Sequence, residues 1–388
     1  NLTPREVSLL TNALWLQKKW DLALPLLIEN RQYLPPELIP YQDMMIMLAL
    51  ERTGGSREAY ERALVLLDKS PKELVYYVYY ALARLSTDIG RSPSKWYRLM
   101  LDQSDERDQR TVALKGIVGS GEASTNDCLE LLNIEPLHAK SLTILSEKGD
   151  PSDPEVNFAL GYSRYLAGSY ESAISYLEKI NDRGTGVFRK AKYYSAFSWY
   201  RLRSYDRALE IWMDLALTAG AYSDSSARRI AYMSGKISEK VRSSLEKIAL
   251  TDNKDSVRTA RFHLLSFEKG EERIKAEDSF VSSFPSDDHS TAILWLRGWN
   301  KWMAGDVSGS LEWWDTALAK ASSSWEPRLL FWKAMALEKV SRKAEAATLL
   351  GKLAKEYPLS IYALRAFPNG AKAIRNEIPE NLFSERSL

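Results

Sequence analysis

Residues 154–180 read PEVNFALGYSRYLAGSYESAISYLEKI, two apolar-periodic segments around a turn at Gly168-Ser169. Leu160, Gly161, Gly168, Tyr170, Ala173, Ile174 and Leu177 fall in a fixed order of small residue, glycine turn, aromatic and alanine. Ser152 and Asp153 are helix-cap candidates, and Pro154 suits a first helical turn. The stretch therefore predicts a helical hairpin. A lone hairpin leaves one apolar face uncovered, and stacking it on similar hairpins buries that face in a continuous core.

Copies of this pattern recur. In residues 189–217 Tyr170 reappears as Tyr205, Ala173 as Ala208 and Leu177 as Trp212, thirty-five residues on. Residues 290–321 hold Gly298, Gly305, Leu311, Trp314 and Ala317 in register. Residues 326–357 hold Ala334, Ala346, Leu350 and Leu353, with Pro358 closing the copy. The period is within one residue of the tetratricopeptide repeat, and the chain resembles that superfamily.

Outside these copies the pattern loosens. Hairpins are expected over residues 3–30, with Thr3 as cap and Lys18-Lys19 as turn, and over 41–52 with 58–69. Pro25 is expected to kink its helix. Further helices are expected at 72–85, 93–100, 107–118, 125–132 and 136–147. A second irregular region gives helices at 230–239, 240–250, 254–268 and 271–284. After Phe367 a short helix and a polar tail are expected. No stretch alternates Val, Ile and Thr as a strand would. The expected fold class is all-α, an α-solenoid of tetratricopeptide-like hairpins, curved or ring-like. Residues 1–150 form its irregular part, and residues 151–388 form a more regular superhelix with a C-terminal tail, one continuous solenoid.

Composition narrows the function. The 388 residues carry 53 basic and 51 acidic side chains, a net charge of +2 that lacks the basic excess of a nucleic-acid binder. The single cysteine, Cys128, excludes an intrachain disulfide and a cysteine-based zinc site. No apolar run reaches the length of a membrane-spanning helix. The chain begins at Asn1 without Met or an apolar leader, as a processed chain or an excised piece would. His138, His263 and His289 lie on different segments and form no paired-histidine motif. His289 follows Asp287-Asp288 at a helix start, which reads as a cap. Cys128 reads as a small buried residue. No catalytic motif, metal set or cofactor motif is present.

Aromatics are the remaining signal. Seven of the twelve tryptophans fall between Trp295 and Trp332, so the last two hairpins carry most of them. On the first helix of three hairpins an aromatic triplet recurs at spacing four then three: Phe158, Tyr162, Tyr165; Tyr193, Phe197, Tyr200; Trp295, Trp299, Trp302. In the last hairpin Phe331 alone remains, followed by Met335. Each triplet occupies one helical face. Two readings stand. The rings line a concave groove that holds sugar faces or peptide side chains, or they pack inside the superhelix.

The last third carries a more specific resemblance. Phe331-Trp332, Ala334, Leu337-Glu338, Ala344-Glu345-Ala346, Leu353-Ala354, Tyr357-Pro358-Leu359-Ser360 and Tyr362 resemble the end of the superhelical domain of soluble lytic transglycosylases. That resemblance implies a bacterial cell-envelope or periplasmic location. It also implies a non-catalytic scaffold that positions peptidoglycan or partner proteins. In the family a lysozyme-like catalytic domain follows; either it lies beyond Leu388 or this protein has none, and whether the protein is an enzyme stays open. Its Glu-Ser-x-Phe and Gly-Leu-Met-Gln motifs do not occur in this sequence; Glu277-Asp278-Ser279-Phe280 is a poor echo in the wrong place. The alternative is a freestanding adaptor binding an extended peptide or protein partner, with neither nucleic acid nor a membrane span involved.

Overall fold

The computed structural model describes residues 4–367, all of whose regular structure is helical. The expected cap at Thr3 and the expected helix and tail after Phe367 lie outside the described residues. The chain divides into two compact units, Asn1–Ile211 and Trp212–Leu388.

The first unit opens with α1 (Pro4–Leu16), α2 (Trp20–Asn30), α3 (Ile39–Arg52) and α4 (Ser56–Lys69). It continues with α5 (Lys72–Asp88), α6 (Ser94–Asp102), α7 (Arg107–Ser120), α8 (Thr125–Ile134) and α9 (Ala139–Lys148). Next come α10 (Pro154–Leu166), α11 (Tyr170–Leu177) and α12 (Phe188–Arg201), and the division falls within α13 (Tyr205–Leu217). Pro25 sits inside α2, which runs unbroken to Asn30. Ile46, Met47, Val78, Leu82 and Leu85 form a fully buried core among α3, α4 and α5. A second core joins Leu114, Leu131, Leu145, Val156 and Leu160, and so runs across residue 150.

The second unit contains α14 (Ser223–Tyr232), α15 (Ser234–Ala249), α16 (Lys254–Leu264) and α17 (Gly270–Ser283). It ends with α18 (Asp288–Met303), α19 (Val307–Leu318), α20 (Glu326–Lys339), α21 (Lys343–Glu356) and α22 (Ile361–Ala366). The helix expected at 230–239 is corrected here. A single turn residue, Met233, separates α14 from α15, and the chain kinks at Ile237, which is non-helical at φ −139° and ψ 57°. Apolar periodicity continues through that bend because Ile230, Met233 and Val241 are all buried. The helix expected at 254–268 ends at Leu264 and finishes as a 3₁₀ turn, Leu265–Phe267.

One turn recurs in both units. Lys18, Gly54 and Gly90 have positive φ at intervals of thirty-six residues, as do Gly168 and Arg203, and Gly305 and Ser341, at nearly the same interval. After each, the next amide donates to a carbonyl five residues back: Lys19 to Leu14, Gly55 to Leu50, Arg91 to Ser86, Ser169 to Arg164, Ser204 to Trp199, Asp306 to Lys301 and Arg342 to Leu337. This left-handed cap reverses the chain and satisfies a helix-end carbonyl. It shows that α5 and α6 form a hairpin like the others, which the sequence reading leaves as two separate helices.

Three of these turns place a side chain where glycine is favoured. A left-handed L-residue costs about 1–2 kcal/mol. Arg203→Gly and Ser341→Gly are therefore each expected to stabilise by about 1 kcal/mol, offset in part by glycine's freedom in the unfolded chain. A rise in the urea midpoint for both checks this.

Small residues set the helix spacing. Ala173, Ala196, Ala208 and Ala334 are fully buried. A Cβ added at Gly161 would lie 2.7 Å from Leu177 Cγ, and one at Gly298 would lie 2.5 Å from Trp314 Cδ1. Both positions let the two helices of a hairpin touch without a side chain between them.

Candidate functional site: two aromatic strips

The expected triplet on α10 is present as a ladder. Phe158 and Tyr162 stack with ring centroids 5.6 Å apart at 11°, and Tyr162 and Tyr165 at 6.2 Å and 16°. Their partner on α12 is Tyr194, 4.6 Å from Tyr162 and 5.1 Å from Tyr165. Phe197 reaches Tyr165 at 6.1 Å. The expected α12 triplet thus resolves into different environments. Tyr193 is buried at 8% exposure, Phe197 belongs to the strip, and Tyr200 meets Tyr205 at 5.5 Å. Adjacent residues on a helix point about 100° apart, so a one-residue step decides between core and strip.

The second strip lies on α18 and α20. Trp295 and Trp299 stack at 5.7 Å, and Trp332 touches Trp299 at 4.8 Å, Trp302 at 6.0 Å and Trp295 at 6.5 Å. Trp314 lies beneath, fully buried, 5.2 Å from Trp295 at 14°, and its indole N–H donates to the Trp295 carbonyl at 3.3 Å. Phe331 is buried at 4% and packs on Trp332 and Tyr362.

Of the ten expected residues, Tyr162, Tyr165, Phe197, Trp295, Trp299 and Trp302 are partly exposed and stand in the strips. Phe158, Tyr193 and Phe331 are buried, and Tyr200 is turned to Tyr205. Tyr194 and Trp332 are strip residues the sequence reading missed. Both stand beside a residue that was chosen, and the apolar pattern does not separate such neighbours. These rings pack on one another and are partly exposed.

Cations sit on these rings. Lys190 Nζ is 4.6 Å from the Phe158 centroid, the Arg328 guanidinium 5.7 Å from Trp295, Lys339 Nζ 4.2 Å from Trp302 and the Arg365 guanidinium 5.6 Å from Trp332. Such contacts contribute about 0.5–1 kcal/mol each at exposed sites.

Several other titratable groups take part in caps and ion pairs. His138 caps α9, its ring accepting from the Ser141 amide. Asp287 is the N-cap of α18 and accepts from the His289 amide at 2.8 Å, in agreement with the cap reading. Cys128 is buried, and burial raises its thiol above the ordinary range. His263 and His289, distant in sequence, meet at one cavity of about 280 Å³ with Arg228 and Arg258. Asp224 pairs with Arg228 and Asp287 with Arg258, both at 2.7 Å, so these guanidinium charges are met from within the protein. Burial, with His289 and Arg228 nearby, pushes His263 below the usual imidazole range. A groove of about 940 Å³ between α17 and α18 exposes Ile274 and Leu296, and its Arg297 pairs with Glu277 and Asp278. Among the described residues no group of three or more His, Cys, Asp or Glu could hold a metal ion, and no helix is long and apolar enough to cross a membrane.

Part of the chain matches a known family. Residues 328–360, within α20, α21 and the turn after them, match the tetratricopeptide repeat family. Among solved structures, a Naa15/Naa10 complex bound to HypK-THB is 15% identical, over 96% of this chain and 67% of that one, at a TM-score of 0.31. Yeast Tom70 is 13% identical over 96% and 89%, at 0.32. The C-terminal part of a TPR repeat-containing protein from Cytophaga hutchinsonii is 12% identical over 69% and 97%, at 0.27. No curated protein sequence matches the chain. The chain is an all-α protein of helical hairpins, and its residues 328–360 match a tetratricopeptide repeat.

Proposed function

We propose that this chain is a protein-interaction scaffold whose aromatic strips hold an extended segment of a protein partner. The observation that carries this reading is the cluster of Trp295, Trp299, Trp302 and Trp332. These are four large rings, partly exposed, of which Trp295 and Trp302 pack on the buried Trp314. Rigid aromatic surface of this kind dominates binding energy at protein interfaces. A photo-crosslinking side chain at Trp299 or Tyr162 is expected to trap a discrete partner, and one at Leu250, 88% exposed and outside the strips, is not. With that partner purified, Trp332→Ala is expected to weaken binding about thirtyfold. Equal trapping at Leu250, or an unchanged affinity, would defeat the proposal.

A second reading puts a glycan strand on the same rings, in a bacterial cell envelope or periplasm. Its support is the resemblance of residues 329–367 to lytic transglycosylases and the suitability of flat rings for sugar faces. Retention of the wild type on purified peptidoglycan, lost in Trp299→Ala, would select it. Free passage of the wild type would remove it.

A further inference from the structure

The cavity where His263 and His289 meet is walled by bases. Of the residues that line it, Arg228 comes from α14, Arg258 and His263 from α16, and His289 from α18. No acid lines it. The acids that balance these bases stand outside the lining. Asp224 accepts from Arg228 at 2.7 Å and lies 3.7 Å from Arg258. Asp287 accepts from Arg258 at 2.7 Å and lies 2.8 Å from the His289 ring. Each carboxylate therefore holds two basic groups. The chain Arg228, Asp224, Arg258, Asp287, His289 alternates in charge and keeps both guanidiniums at the cavity wall. Tyr232, 60% exposed, leaves the cavity open to solvent on one side.

This segregation selects the charge of a ligand. Guanidinium and imidazolium groups donate to oxyanions in short, strong hydrogen bonds, and a guanidinium fork matches the geometry of phosphate. A volume of about 280 Å³ is at the small end for a binding pocket and suits an ion or a short ester better than a folded segment. We propose that this cavity binds a small tetrahedral oxyanion, inorganic phosphate or the phosphoryl group of a monoester. The site shares no residue with the aromatic strips and goes beyond the scaffold reading.

Its charge is set by the imidazoles. Two guanidiniums and two carboxylates cancel, so the cluster turns positive when an imidazole takes a proton. His263 faces Asp224, Arg228 and Tyr232 of α14 and His289 of α18, with Arg258 on its own helix; α15 and α17 contribute no lining residue. Burial, with His289 and Arg228 nearby, holds His263 below the usual imidazole range. A bound anion favours the charged form and raises it. Binding therefore takes up a proton. Affinity grows as pH falls through the bound-state value and levels off below the free-state one.

The test is a calorimetric titration of the full chain with sodium sulfate at about pH 5.5 and about pH 7.5, where imidazoles titrate, at constant ionic strength. Sulfate keeps its charge across this range, so any pH dependence belongs to the protein. Affinity is expected to be about tenfold higher at the lower pH, the change that one unit of histidine shift carries. Arg228→Gln is expected to weaken sulfate about tenfold, and His263→Gln to remove most of the pH dependence. Arg57→Gln, an exposed base in the other unit, should change neither. An unchanged helical circular dichroism signal confirms that each variant is folded. The chain has three histidines, so its imidazole proton resonances are few, and in the wild type at least one should titrate at higher pH once sulfate is added. Phosphate and a capped phosphoserine peptide separate the sources. Tighter binding of the peptide assigns the site to a phosphorylated side chain, and tighter binding of phosphate assigns it to the free ion. No binding of any of the three, equal sulfate affinity at both pH values, histidine resonances that ignore sulfate, or undiminished binding by Arg228→Gln overturns the proposal. So does binding of zinc chloride in place of sulfate, with protons released instead of taken up.

Discussion

Trp314→Ala is expected to destabilise the C-terminal unit by about 3–5 kcal/mol, the cost of removing a fully buried large aromatic. Trp314 is 0% exposed and packs among Leu294, Leu311, Ala317, Leu329, Ala334 and Leu337, residues drawn from α18, α19 and α20. Its removal leaves a cavity where two hairpins share one core, and a stack of repeats cannot close that gap by moving one side chain. It also removes the shelf under Trp295, including the N–H donated to the Trp295 carbonyl. The expected signature is a large drop in the urea midpoint together with weakened binding at the tryptophan strip. The corresponding drop in melting temperature is about 10 °C for a unit of this size. A variant that melts like the wild type would mean that this core holds neither hairpin in place.

Gly298→Val should be the next most damaging change. Gly298 faces the Trp314 indole so closely that an added Cβ would lie 2.5 Å from Cδ1 and 3.0 Å from Cε2. One of the two helices must then move or the indole must turn, and overpacking of this kind costs about 1–3 kcal/mol or more. Helix propensity argues the other way, because glycine is a poor helix former, by about 1 kcal/mol against alanine. Steric contact should win, since the neighbour is a rigid ring with α20 behind it. The mechanism makes a further claim. In the double variant Gly298→Val with Trp314→Ala, the valine enters space the indole has left. Its cost should fall short of the sum of the single changes by 1 kcal/mol or more, a coupling expected only for groups in contact. Simple additivity would show that Gly298 acts through something other than Trp314.

The hairpins were readable because their determinants are local. Gly168 and Gly305 announce a left-handed turn, and Ala173, Ala208 and Ala317 mark positions where helices meet. Where the same turn is made by Arg203 or Ser341, composition gives no warning, yet the hydrogen bond from the next amide is the same. The Gly90 hairpin escaped notice because the loop before Pro93 lengthens the connection. The kink at Ile237 escaped because buried residues continue on both sides of it.

The strips were only half readable. Trp295, Trp299 and Trp302 show their common face in the sequence, because helical periodicity needs no partner. Which α12 residue joins Tyr162 depends on how α12 is rotated against α10, and Tyr193 and Tyr194 are chemically alike. The rotation is settled by Ala191, Ser195, Ala196 and Ser198, small residues that bury one side of the helix and leave Lys190, Tyr194, Phe197 and Arg201 on another. Likewise Trp332 displaces Phe331 from the strip because Phe331 faces Leu353 and Ala363 in the last core.

The residues of 154–180 and their copies determined that this chain is all helix and built of hairpins, since period, turn and small-residue contacts are written in local order. Only the tertiary structure decided which rings are partly exposed and which are buried. Those properties belong to pairs of helices, and a one-residue step in sequence turns a side chain by about 100°.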